Sequence, residues 1–253
     1  MSLVGLGPGA ADLMAPRARQ ALIQAQVIVG YSTYIKLLDR DMVQGKEVIS
    51  TGMTKEVARC QAALDRACQG WTTAIVCSGD SGIYALAGLV IELMDKKGLV
   101  QEMDLQIIPG IPALAAAAAG LGAPLMHDFA TISLSDLLTP WEVIERRVQA
   151  AAQADFVIVL YNPRSKTRTW QLESVRTLVR RHRTAETPVG VVKNASRSEE
   201  SIILTSLDGL DTQSVDMKCT VIIGNSQTRR VGDWLLTPRG YDAKYDLAEQ
   251  NGG

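Results

Sequence analysis

The sequence predicts an α/β fold in two parts, a mainly parallel N-terminal sheet and a mixed C-terminal sheet, each with flanking helices. The first half alternates short apolar runs with amphipathic segments, the pattern of buried parallel strands joined by helices. The closing part of the second half sets apolar runs in quick succession without long helices between them, which favours antiparallel neighbours. A glycine-rich turn, Gly5-Leu6-Gly7-Pro8-Gly9, stands only a few residues into the chain, between an expected strand and an expected helix.

Residues 2–4 read as a short opening strand, and the apolar spacing of Leu13, Met14, Ala18, Ala21 and Leu22 predicts a helix over 11–24. Strands are expected at 27–29, 48–49, 73–77 and 105–108, with helices over 55–69 and 83–97 among them. Pro109-Gly110-Ile111-Pro112 punctuates this alternation and opens an alanine-rich helix over 113–120. Small side chains favour close packing, so that helix is expected between layers or between halves. Beyond it, 131–134 reads as a strand, 141–151 as a helix, 156–160 as a fully buried strand, 169–181 as a helix and 189–192 as a strand. Segments 201–207, 220–223 and 230–236 complete the mixed sheet. The expected organisation is an N-terminal α/β domain over 1–112, a C-terminal domain over 113–241, and a polar tail over 242–253 that frays.

Composition excludes several classes. Apolar residues make up 47% and charged residues 21%, as in an ordinary globular protein. Lys plus Arg at 26 nearly balances Asp plus Glu at 27, so the net charge of -1 offers no general attraction to nucleic acid or membrane. Aromatic residues at 5%, with two Phe, argue further against base stacking. Cys60, Cys68, Cys77 and Cys219 lack metal-ligand spacing and read as small buried hydrophobes, so no metal site is expected. The start of the chain lacks a signal-peptide pattern, and the apolar stretch 107–126 is broken by Pro and Gly. A cytoplasmic protein is therefore expected.

Gly5-x-Gly7-x-x-Ala10 formally fits a dinucleotide fingerprint. Two details oppose it. Pro8 removes a backbone N–H where a pyrophosphate needs one, and 27–35 contains no acid for a ribose. Four further loops follow expected strands, where open α/β sheets place ligands. They are Ser78-Gly79-Asp80-Ser81-Gly82, Pro109-Gly110-Ile111-Pro112-Ala113, Tyr161-Asn162-Pro163-Arg164-Ser165 and Lys193-Asn194-Ala195-Ser196-Arg197. Each alone has the composition of an ordinary turn.

Together, in this order, the loops resemble the tetrapyrrole methylases over residues 3 to about 239. Gly5-Leu6-Gly7-Pro8-Gly9 is similar to that family's N-terminal loop. Ser78-Gly79-Asp80-Ser81 is similar to its Gly-Asp-Pro loop, with Ser81 replacing proline, and Pro109-Gly110-Ile111-Pro112-Ala113 to its Pro-Gly-x-x-Ala turn. Val29-Gly30-Tyr31-Ser32-Thr33-Tyr34, His127-Asp128-Phe129 and Ser133-Leu134-Ser135-Asp136-Leu137-Leu138-Thr139-Pro140-Trp141 resemble the branch that methylates C17 of precorrin-3B and contracts its ring to precorrin-4. A cobalt-containing counterpart of that substrate is the alternative within the family.

The resemblance implies S-adenosylmethionine (SAM) as methyl donor, with S-adenosylhomocysteine as product, and a homodimer. It places SAM between the domains against Pro8, Gly79, Asp80, Ser81, Ile83, Pro112 and Ala113, and adds Asn162, Gly190 and Thr220. SAM carries a sulfonium and no phosphate, so Pro8 is acceptable there. A helix N-cap is the competing role for Asp80.

Ring contraction requires a proton to leave a ring hydroxyl, and His127, Asp128, Asp136 and Lys193 are the candidates. For His127 the bland alternative is a loop hydrogen bond, and for Asp136 a helix cap. The tetrapyrrole carries several carboxylates, so Arg164 and Arg197 are expected to bind it. Lys166, Arg168, Lys193, Arg229 and Arg230 would join them if the strand ends converge on one rim.

Overall fold

The computed structural model describes residues 1–246, and the chain falls into two compact units, Met1–Ala116 and Ala117–Gly253. In the first, β1 (Ser2–Gly5), β2 (Val27–Tyr31), β3 (Glu47–Thr51), β4 (Thr73–Cys77) and β5 (Gln106–Ile108) form a sheet in the order β3-β2-β4-β1-β5. Every neighbouring pair is parallel. The helices are α1 (Pro16–Gln24), the short α2 (Ser32–Ile35) and α3 (Arg40–Val43), α4 (Glu56–Cys68), α5 (Ala87–Lys96) and α6 (Ala113–Leu121), the last running across the unit boundary.

Alternation along the strands builds two cores. Leu3, Val27, Val29 and Ile75 pack with Cys60, Ala63 and Leu64 of α4 and with Val90 and Met94 of α5. Their sequence neighbours Val4, Ile28, Ala74 and Val76 pack instead with Ala18 and Leu22 of α1 and with Met42 of α3. A strand covered on both faces has no polar side, which is why these strands are continuous apolar runs.

In the second unit β6 (Gly122–Ala123) is followed by β7 (Phe129–Ser133), α7 (Trp141–Gln153), β8 (Val157–Tyr161), α8 (Gln171–Val179), β9 (Pro188–Lys193), β10 (Ser201–Ser206) and β11 (Cys219–Ile223). The main sheet has the order β10-β9-β11-β8-β7. β7 and β8 are parallel, whereas β11 is antiparallel to both β8 and β9, and β10 to β9. Ile144 and Val148 of α7 and Val175 and Val179 of α8 cover one face, against Ile158, Leu160, Val189, Val191, Val221 and Ile223.

Several expected elements differ. The helix expected over 11–24 is a 3-10 turn at Ala11–Leu13 followed by α1, which begins at Pro16 because proline is favoured at a first helical position. The helix expected over 83–97 starts only at Ala87, whose N–H donates to Ser81 O at 3.0 Å. Segment 230–236 is not one strand of the main sheet. It is a hairpin of β12 (Arg229–Val231) and β13 (Trp234–Leu236), turned at Gly232 with φ +59° and joined by β6 into a three-stranded sheet. Of the expected tail, 242–246 follow hydrogen-bonded turns near Tyr241, and 247–253 lie outside the described residues. No helix of the described residues is long and apolar enough to cross a membrane.

Cys68 is exposed, against expectation, while Cys60, Cys77 and Cys219 are buried. Cys68 closes α4 on its outer side, so helical phase rather than hydrophobicity set its place. Burial pushes the Cys60 thiol up to about 12, and those of Cys77 and Cys219 to about 11. Iodoacetamide at pH 8 is therefore expected to label Cys68 alone in the native protein, and all of these thiols after unfolding, as read by mass spectrometry. Native labelling of Cys60 or Cys77 would contradict the packing of the parallel sheet.

Candidate active site

Strands β4, β1 and β5 lie side by side, and the loops leaving their C-terminal ends meet. Gly7 N–H donates to Gly79 O at 3.1 Å and Gly79 N–H to Gly7 O at 2.7 Å. Asp80 ties the second loop to the third. Its Oδ1 accepts from Gly82 N–H at 2.7 Å and its Oδ2 from Gly110 N–H at 3.1 Å. Leu86, not Asp80, is the N-cap residue of α5, so the carboxylate serves this junction rather than a helix end. Ser81 is fully buried, and its hydroxyl lies 3.4 Å from Ile108 O.

Space dictates glycine at this meeting point. A Cβ on Gly110 would stand 2.2 Å from Gly79 O, and one on Gly5 would stand 2.6 Å from Gly110 N. Gly79 adopts φ +65°, a conformation that costs other residues about 1–2 kcal/mol. Substituting Gly79 therefore strains the backbone even though the space beside it would admit a Cβ. Its vacant Cβ position lies 3.5 Å from Ala113 N and 3.6 Å from Pro112 Cα, so these three predicted residues come together. Pro8 is buried and Ile83 is 37% exposed. Residues 5–10, 78–83 and 109–114 contain one carboxylate, Asp80, and no Lys, Arg or His.

In the second unit, the C-terminal ends of β7, β8 and β9 and the start of β11 share one end of the sheet. Asn162, held at φ +50°, donates from Nδ2 to Ser133 Oγ at 2.9 Å. Asp136 Oδ2 accepts from Gln171 Nε2 at 2.8 Å, so Asp136 is not a helix cap. Arg168 is 5% exposed and donates from Nε to Asn162 O at 3.0 Å. Burial lowers its pKa, with the nearby Asp136 acting in the opposite sense. Lys193 Nζ lies 2.9 Å from Asp216 Oδ2, and the hydrogen bond and charge of Asp216 raise the lysine pKa. Burial pushes Asp216 up, but bonds from Lys193, the Lys218 N–H and the Cys219 thiol outweigh it and leave the carboxyl low. Lys193 is thus held as a cation, which disfavours it as a base.

The remaining predicted residues divide. Thr220 is buried in β11 opposite Val192. Gly190 lies mid-strand under Leu121, whose Cδ1 would be 2.4 Å from an added Cβ, so its smallness accommodates α6. His127 and Asp128 stand together, 3.8 Å between Nδ1 and Oδ2, with side chains 50% and 82% exposed. They precede β7, where Val157 N–H donates to Asp128 O, and so occupy the opposite end of the sheet from Asp136. At about 3.3 Å per residue, β7 separates the two ends by roughly 16 Å.

Arg164 is half-buried, with Nη1 donating to Thr169 O at 3.0 Å and Thr212 O at 3.3 Å. Arg197 N–H donates to Asn194 O in the loop after β9. The single basic rim does not form. Arg229 and Arg230 follow the end of β11 that lies beside the starts of β8 and β9, because β11 runs antiparallel to both. Arg168 is spent internally on Asn162 O. Sequence reasoning missed Gln171, Ser133 and Asp216 as partners, since no local signal pairs residues so far apart. The packing role of Gly5 and Gly110 was signalled only by the glycine motifs themselves.

Residues 1–211 match the family model of the tetrapyrrole (corrin/porphyrin) methylases, and the chain belongs to that family. Within it, the chain is 49% identical over 241 residues to the probable cobalt-factor III C(17)-methyltransferase of Salmonella typhimurium, covering 95% of this chain and 99% of that one. It is 46% identical over 247 residues to the cobalt-factor III methyltransferase of Priestia megaterium, covering 97% of this chain but only 46% of that longer protein. The precorrin-3B C(17)-methyltransferase of a Sinorhizobium species is 42% identical over 246 residues, covering 94% and 96%. The crystal structure of the methyltransferase CobJ matches with a TM-score of 0.89 at 37% identity, covering 94% and 98%. This relationship displaces the nicotinamide reading.

Proposed function

We propose that this protein is a SAM-dependent methyltransferase of cobalamin biosynthesis that methylates C17 of precorrin-3B, or of its cobalt-containing counterpart, with contraction of the macrocycle. The observation that carries this reading is identity of 49% along almost the whole of a relative named for C17 methylation.

The chemistry of the three glycine loops supports the donor. One carboxylate and no basic side chain suit a sulfonium ligand and disfavour a pyrophosphate. Pro8, Gly79, Asp80, Ser81, Ile83, Pro112 and Ala113 would hold SAM, which supplies an electrophilic methyl group when bound. The chain's contribution is then positioning, an effect worth ~7–11 kcal/mol where reacting atoms are aligned.

For contraction we assign proton transfer to Asp136. Gln171 holds one of its oxygens, and Oδ1 has no hydrogen bond among the described residues. Lys193, Arg164 and Arg197 serve as cations toward substrate carboxylates. The test is incubation with SAM and either the metal-free or the cobalt-containing substrate, read by mass spectrometry. Gain of one methyl group on one of them is expected and assigns the branch; gain on neither removes the reading.

A further inference from the structure

Three arginines are buried among the described residues, and two have acidic neighbours. Arg183 Nη2 lies 3.0 Å from Asp155 Oδ1, and Arg168 is near Asp136. Arg59 is the exception. It is 4% exposed, yet no Asp or Glu of the described residues forms an ion pair with it. Placing a charge in the interior without a counter-charge is costly, so an unpaired buried cation calls for an explanation.

Its surroundings supply one. Arg59 stands on the first turn of α4, and its guanidinium reaches the C-terminal ends of β2 and β3. Nε donates to Thr51 Oγ1 at 2.7 Å, and Nη2 donates to Gly52 O at 2.9 Å. The ring of Tyr31, the last residue of β2, lies 5.8 Å from the guanidinium carbon, and Tyr34 meets Tyr31 edge-on at 5.1 Å. These contacts fix the plane of the fork but leave Nη1 without a hydrogen bond among the described residues. A tie between α4 and β3 would need only the Thr51 bond. A clamped arginine with an unused edge is arranged for a planar, bidentate anion such as a carboxylate. Because β2 adjoins β4 in a parallel sheet, Arg59 lies at the same strand ends as the Ser78–Gly82 loop.

We propose that Arg59 anchors a carboxylate arm of the tetrapyrrole, an inference that rests on the methyltransferase reading. With a net charge of -1, the protein can attract a polycarboxylate only through local cations, and this one is already oriented. SAM also carries a carboxylate, so the two ligands must be tested separately.

Arg59→Lys keeps the charge and removes the fork. Tetrapyrrole binding, titrated by absorbance without any methyl donor, is expected to weaken about tenfold or more. SAM affinity by calorimetry should stay within about twofold if the arm belongs to the tetrapyrrole. Thr51→Val retains Arg59 but frees its Nε, and should give a smaller loss in the same direction. It also carries the test if Arg59→Lys fails to fold, as judged by circular dichroism. Wild-type tetrapyrrole affinity in the folded variants, or a loss confined to SAM, overturns the inference. Failure of the wild-type protein to methylate either substrate would instead count against the underlying reading.

Discussion

Gly110→Ala is expected to destabilise the protein by about 3 kcal/mol, the upper part of the range for overpacking. The new Cβ would lie 2.2 Å from Gly79 O and 2.7 Å from the carbonyl group of Gly5, and these are backbone atoms that no rotamer change can move aside. Relief requires the β5 loop to retreat from its neighbours, which would also break the 3.1 Å bond from Gly110 N–H to Asp80. A chain of this size should lose roughly 6–12 °C in Tm for such a change. SAM affinity should fall with it, because the displaced loop carries Pro112 and Ala113. Gly88→Ala is the control. Its added Cβ meets nothing within 4 Å, and Gly88 lies in α5. A helical glycine replaced by alanine should stabilise by about 0.5–1 kcal/mol. Equal melting temperatures for Gly110→Ala and wild type would mean that the three loops do not meet as described.

Asp136→Asn is expected to reduce kcat by roughly 10²-fold or more, the usual contribution of a positioned acid or base. The substitution preserves shape, and the Asn oxygen can still accept from Gln171 Nε2, which now donates to Asp136 at 2.8 Å. What disappears is the ability to take up a proton. SAM affinity should remain near the wild-type value, since Asp136 lies outside the glycine loops. Asp128→Asn should leave the rate almost unchanged, because its carboxylate is 82% exposed at the other end of β7. Measuring kcat and SAM affinity in both variants decides the matter. Wild-type turnover in Asp136→Asn, or equal losses in the two, would remove Asp136 from the mechanism.

Much of the fold was legible because local rules produced it. The runs at β1, β2 and β4 are apolar on consecutive residues, and only burial on both faces explains that pattern. Helix starts were less legible. Pro16 moved the first helix later than its apolar spacing suggested, and the Ser81 carbonyl held residues before Ala87 in a turn. Gly232 split the last expected strand into a hairpin.

By itself the sequence determined which loops carry glycine, which of them holds the lone carboxylate Asp80, and that no basic residue stands among them. Those properties follow from residue identity and from the short distance along the chain between a strand and its own loop. Strand direction was decided only in three dimensions. Because β11 runs against β8 and β9, Arg229 and Arg230 leave the sheet at the end where those strands begin, away from Arg164 and Lys193. The length of β7 likewise parts Asp128 from Asp136, though few residues separate them in the chain. Gln171 beside Asp136, Asp216 beside Lys193, and the lack of an ion pair to Arg59 among the described residues were settled the same way. Hydrogen bonds and ion pairs act over a few ångströms of space, and a linear pattern records only the distances along the chain.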